Sequence, residues 1–160
     1  MLYVVAWPVL SEADDIALRR LRAQYHPSEA GLIGPHFTLV FGASDEREQA
    51  LQALLAAASR RPFWFMIDRI VRVGRYLVAE PSDGAAELIE LYEMLNPPGA
   101  RAAFRPHITL GLFDREGRAE QVARIVERAH LPMRGRIEQL ALLRRDGDRL
   151  VELQCRTLAA

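Results

Sequence analysis

A pentapeptide that occurs twice constrains this chain more than anything else in it. Pro35-His36-Phe37-Thr38-Leu39 returns 71 positions later as Pro106-His107-Ile108-Thr109-Leu110. The likeness extends outward on both sides. Each pentapeptide leads through a short polar loop into a helical pattern, roughly Asp45 to Ser59 in the first case and Gly117 to Ala129 in the second. Leu51, Leu54, Leu55 and Ala58 share one face of the first helix, and Val122, Ile125, Val126 and Ala129 are expected at the matching places of the second. Spacings of three and four are those of an amphipathic helix laid on a sheet. A proline and a strand follow each helix, so that Ile67, Asp68 and Ile70 correspond to Ile137, Glu138 and Leu140. Upstream, Tyr3-Val4-Val5-Ala6-Trp7-Pro8 resembles Tyr76-Leu77-Val78-Ala79-Glu80-Pro81, and each run opens a helix, about Glu12 to Gln24 and Gly84 to Leu95. Turn residues end both helices, at His26 to Gly31 and at Asn96 to Gly99. A last alternating run, Arg149 to Thr157, is joined to Arg134–Leu143 through the hairpin signal Asp146-Gly147.

Each half therefore reads strand–helix–strand–helix–strand. Halves this short do not each bury a comfortable core, and 160 residues suit one domain. The expectation is an α+β fold: a single domain over 1–160 with two pseudo-twofold lobes, about 1–74 and 75–160, facing a central cleft, with room for elements to be exchanged between lobes. No segment reaches the length of a membrane helix, and the apolar start at Met1–Pro8 lacks a basic leader, so a soluble, cytoplasmic protein is expected, without membrane attachment. The lone Cys155 allows no internal disulfide, which suits a reducing compartment.

Residues two apart on a strand face the same way. His36 and Thr38 thus share a face, as do His107 and Thr109, while Phe37, Leu39 and Phe41, with Ile108, Leu110 and Leu112, are expected to turn into the core. Across a pseudo-twofold axis the two polar pairs can meet in one cleft. Histidine titrates near neutrality, so one imidazole can accept a proton while its twin donates one. The threonine hydroxyls could hold non-bridging phosphate oxygens. That set suits phosphoryl chemistry without a metal. Zinc needs three or four ligands, and the other histidines, His26 and His130, fall in a loop and at a helix end. No cofactor is expected either. All 21 basic residues are arginine, which excludes chemistry needing a lysine amine, and the 21 acidic residues balance them. Net neutrality argues against a chain-wide basic face for long nucleic acid.

The two tetrapeptides, His36-Phe37-Thr38-Leu39 and His107-Ile108-Thr109-Leu110, together resemble the paired His-x-Thr motifs of the 2H phosphoesterase superfamily, which includes 2′-5′ RNA ligase-like proteins and cyclic phosphodiesterases. The resemblance spans essentially the whole chain. It implies a bilobal duplicated α+β fold and metal-independent hydrolysis of a 2′,3′-cyclic phosphate or related phosphodiester by His36 and His107, without saying which is acid and which base. Phe104-Arg105-Pro106 looks like the run found before the second motif in RNA cyclic phosphodiesterases of this superfamily, whereas the first motif is closer to the small cyclic phosphodiesterase-like branch. The expected partner is a small nucleotide or an RNA end, bound by a monomer. A nucleotide-binding module without turnover and a 2′-5′ RNA ligase are the competing readings.

Four further residues are candidates for substrate binding. Arg105, two before His107, could fork onto a phosphate. Phe113 has the strand parity of His107 and Thr109 and could stack on a base. Tyr3 and Tyr76 hold matching places in the repeat, and their hydroxyls could line the cleft. Arg60-Arg61 and Arg144-Arg145 read as solvated surface, and Asp14-Asp15 and Asp114-Arg115-Glu116 as charges at helix starts.

Overall fold

A computed structural model describes residues 1–99 and 104–159. The order is β1 (Leu2–Leu10), α1 (Glu12–Tyr25), α2 (Pro27–Ala30), β2 (Phe37–Ala43), a short 3-10 turn (Asp45–Arg47), α3 (Glu48–Ala57), β3 (Phe63–Val73), β4 (Tyr76–Pro81), α4 (Ala85–Leu95), β5 (Ile108–Leu112), α5 (Glu116–His130), β6 (Met133–Asp146) and β7 (Arg149–Thr157). The α1 start is capped by Ser11, whose hydroxyl accepts from the Asp14 amide at 3.2 Å. The turn residues after His26 do not stay a loop: Pro27 opens the one-turn α2, a position where its missing N–H is no loss.

All seven strands join one antiparallel sheet in the order β2-β1-β6-β3-β4-β5, with β7 added to β6. The third strand of each repeat pairs with the other repeat. β6 lies on β1, and β3 lies on β4. The registers repeat as well. Val5 faces Thr38 and Ala6 faces Phe37 on one side, while Val78 faces Thr109 and Ala79 faces Ile108 on the other. The two sides meet where β3 crosses β6, Phe65 opposite Gly135. Glycine is required there, since a Cβ at 135 would stand 2.4 Å from the Phe65 ring. The β6–β7 turn needs a second one, Gly147 at φ +61.

Helices cover one face of the sheet, and a single core unites Leu18, Phe37, Leu51, Leu55, Phe65, Leu88, Leu110 and Val126. The helices are also exchanged: α1 packs against β5 and α4 against β2. Asn96, at the end of α4, donates to the Leu39 carbonyl at 2.9 Å. The opposite sheet face carries the smaller cluster of Val5, Ala141 and Leu143, with Tyr3 and Trp7 beside it.

Three expectations of side-chain direction at the strands are corrected, and two on α5. Phe41 is not core but 82% exposed. Leu112 is only half-buried, and Phe113 is 7% exposed within the main core. The reason is a bulge repeated in both halves. Val5 faces Thr38 but Val4 faces Val40, leaving Leu39 extra. Val78 faces Thr109 but Leu77 faces Gly111, leaving Leu110 extra. One extra residue reverses the alternation beyond it, so Val40 turns inward in place of Phe41. On α5 the buried stripe is Ala119, Val122 and Val126. Ile125 and Ala129 fall beside it and are exposed. No described helix is long and apolar enough to cross a membrane.

Candidate functional site

His36 and His107 end the loops that lead into β2 and β5. Both rings are held by the same local bond. His36 Nδ1 is 2.8 Å from the Gly34 carbonyl, and His107 Nδ1 is 2.7 Å from the Arg105 carbonyl. A carbonyl only accepts, so each Nδ1 carries the proton it donates, and each Nε2 is left out of the backbone bond. Thr38 and Thr109, both half-buried, follow on the same sheet face as their histidines. The bulges come one residue later and leave this pairing of His with Thr intact.

A residue that sequence reasoning missed ties the two motifs together. Arg22 of α1 is 1% exposed. Its Nη2 donates to the Ile33 carbonyl at 2.7 Å and its Nη1 to the Thr109 carbonyl at 3.3 Å. One guanidinium thus joins the approach to His36 to the strand of His107. Its signal was present: Arg22 falls four residues after Leu18, on the buried stripe of an amphipathic helix. Burial lowers its pKa from the ordinary value, with Glu29 opposing, but arginine stays charged.

The His36 environment favours the neutral ring. The side chain is 8% exposed, and burial pushes its pKa below the ordinary histidine value. The Gly34 carbonyl opposes that shift, the Arg22 charge adds to it, Glu29 opposes it, and His107 adds to it. His107 is the more open of the pair.

The neighbours of the two rings differ. Trp7 stands beside His36, ring centroids 6.3 Å apart and nearly perpendicular. Glu80 takes the corresponding place beside His107, one step along the register from the Ala79–Ile108 pair. It is 3% exposed and pairs with Arg105. Both were legible in the aligned runs Tyr3–Pro8 and Tyr76–Pro81, where Trp7 and Glu80 fall two residues beyond Val5 and Val78.

The remaining sequence candidates divide. Arg105 lies at the site, paired with Glu80, its side chain more than half exposed. Tyr3 is on the histidine face of the sheet but turned edge-on to Phe41, centroids 5.4 Å apart. Tyr76 lies 6.1 Å from the His26 ring. Phe113 is corrected out of the site: beyond the Leu110 bulge its ring packs on Tyr25 at 5.2 Å, on the helix side. Among the described residues there is no group of three or more His, Cys, Asp or Glu able to hold a metal ion.

A sheet whose repeated registers present one His-x-Thr segment from each half has the arrangement that the paired-motif resemblance implied. The family model of the 2′-5′ RNA ligase superfamily matches residues 8–149, and the chain belongs to that superfamily. Solved structures agree on the fold. E. coli LigT complexed with 3′-AMP superposes with TM-score 0.68 at 22% identity, covering 99% of this chain and 97% of that one. E. coli LigT complexed with ATP gives TM-score 0.66 at 24% identity, covering 99% and 98%. A structure described as a phosphoesterase gives 0.59 at 23%, covering 99% and 98%. A comparison with curated proteins finds no match.

Proposed function

We propose that the protein is a metal-independent phosphodiesterase that opens a 2′,3′-cyclic phosphate, or cleaves a 2′-5′ linkage, on a small nucleotide or an RNA end. The observation that carries this is the pair of identically held imidazoles, each with a threonine two residues on, joined through Arg22. The nucleotide complexes of E. coli LigT, with ATP, NADP+ and 3′-AMP, support a nucleotide as ligand.

The neutral His36 takes a proton from water at Nε2. The water oxygen forms a bond to phosphorus, the bond to the ribose oxygen breaks, and that oxygen leaves with the electron pair. His107, protonated, gives it a proton from Nε2. Thr38 and Thr109 donate to the non-bridging oxygens. Each proton transfer contributes roughly 10²–10⁴-fold.

The test uses single variants and two kinds of substrate. His36→Ala and His107→Ala each lower kcat/KM on a nucleoside 2′,3′-cyclic phosphate by at least about 10²-fold, and chelator leaves the wild-type rate unchanged. On a p-nitrophenyl phosphodiester, whose leaving group needs no proton, His107→Ala recovers most of its rate and His36→Ala does not. Full activity in either variant on the cyclic phosphate rejects the two-histidine mechanism. Nucleotide binding without any turnover by the wild type favours a binding module instead.

A further inference from the structure

The two halves hold their histidines alike and surround them differently. Next to His36 stand Trp7, Gln139 opposite it on β6, and Gly34 two residues before the ring. The same three places next to His107 hold Glu80, Arg69 opposite it on β3, and Arg105. Glu80 Oε2 accepts from Arg105 Nη2 at 2.9 Å and lies 2.9 Å from Arg69 Nη2. Oε1 lies 2.8 Å from the same Arg105 nitrogen. One buried carboxylate thus fixes two guanidiniums and leaves a surplus positive charge. Both arginine side chains are more than half exposed, and each guanidinium has five N–H donors, so most of them face outward. The fold does not demand this charge, since its counterpart position accepts the apolar Trp7.

We infer that Arg69 and Arg105, set by Glu80, form a second anion subsite that takes a phosphate on the 5′ oxygen of the reacting nucleoside. This deepens the phosphodiesterase reading and rests on it. The scissile phosphate belongs between the two histidines, on the pseudo-axis, whereas the arginine pair lies to one side only. On a ribose whose 2′ and 3′ oxygens hold the scissile group, C1′ carries the base, and C4′, at the other side of the ring oxygen, carries the C5′ methylene and its 5′ oxygen. The aromatic side of the site at Trp7 suits the base. The doubly cationic side suits a phosphate, which planar guanidiniums grip in fork geometry. The subsite would break the symmetry of a duplicated cleft and give the substrate one direction.

The shared chemistry is a 5′ phosphate, whether a terminal monoester or the diester that links to an upstream nucleotide. Adenosine 2′,3′-cyclic phosphate, its 5′-phosphorylated form and the dinucleotide ApA 2′,3′-cyclic phosphate separate these. Wild-type kcat/KM is expected to rise at least about 10-fold with a 5′ phosphate, the scale of one charge-assisted contact. Arg69→Gln brings that ratio towards one, and Arg69→Lys keeps part of it. Preference for both phosphorylated substrates supports a subsite that admits an RNA chain, and preference for the monoester alone supports a terminal phosphate. Turnover of all three by the wild type at equal kcat/KM overturns the inference. So does an equal loss on all three in Arg69→Gln, which would place the arginine at the scissile phosphate. If the wild type turns over none of them, the cyclic-phosphate reading fails. The subsite is then judged by binding: 5′-AMP must raise the melting temperature more than adenosine does in the wild type and not in Arg69→Gln, and equal shifts overturn it.

Discussion

Replacing Arg22 with methionine tests whether one buried cation both holds the fold and sets the site. The guanidinium makes a short bond to the Ile33 carbonyl, 2.7 Å, and a long one to the Thr109 carbonyl, 3.3 Å. A hydrogen bond to a charged group is worth about 1.5–3 kcal/mol, and a buried carbonyl left without a partner loses about 1–3 kcal/mol. Methionine fills similar space and removes a desolvated charge, which returns part of that loss. A net destabilisation of about 2–3 kcal/mol follows, or a fall in Tm of about 5–10 °C for a chain of this size. Catalysis should fall further than stability. Ile33 lies three residues before His36 and Thr109 two after His107, so the lost tie lets the rings drift apart, and a misplacement of about 1 Å lowers the rate about 10²-fold. The Arg22 charge also pushes the His36 pKa down. Removing it should move the acidic limb of the pH–rate profile to higher pH. Thermal melts and cyclic-phosphate kinetics across pH check all three effects. A Tm within about 1 °C of wild type, together with an unmoved acidic limb, would refute the bridging role.

Phe113→Ala should act on stability and leave substrate affinity alone: a buried Phe truncated to Ala destabilises by about 3–5 kcal/mol, readable by urea unfolding, and a raised KM at unchanged stability would return Phe113 to the cleft. Stability should also fall on acidification through His36. Its folded pKa lies below the unfolded value of about 6.5, so the unfolded chain takes up the proton first, and stability present above that pH is lost as pH falls through the folded value. His36→Gln removes this part. Urea melts of both proteins between about pH 7.5 and 5 should converge as pH falls, and parallel curves would contradict a depressed His36.

The repeat carried most of the fold because hydrophobic spacing and turn residues are local signals. It placed β7 at Arg149 to Thr157 and the α4 end at Leu95, and it brought the His-x-Thr segments onto corresponding strands. Alternation failed only where it ceased to be local. Nothing within Phe37 to Phe41 announces that Leu39 is extra, because a bulge is defined by the partner strand, here β1. The same ignorance at Leu110 put Phe113 on the wrong face. The Glu80 cluster was missed for a different reason. β3 and β4 form a hairpin through Gly74-Arg75 that sets Arg69 opposite Glu80, whereas the repeat assigned these two strands to separate lobes.

The exchange of elements between the halves bears on why the site and the fold are hard to separate. β2 is flanked by its own β1 but covered by α4 of the other repeat, and β5 by its own β4 but covered by α1. Each candidate histidine therefore leads into a strand whose far face is covered by a helix that the other half supplies. The third strands cross in the same sense, so neither half completes its sheet alone. Positions equivalent in sequence were thus free to diverge wherever the shared frame did not need them. The bulges at Leu39 and Leu110, the Nδ1 bonds and the threonines are alike in both halves, as the proposed two-histidine mechanism would require of two rings about one axis. Trp7 and Glu80 became unlike at a place where the backbone accepts either. A symmetric frame with unlike neighbours is what a single asymmetric substrate would demand of a duplicated protein.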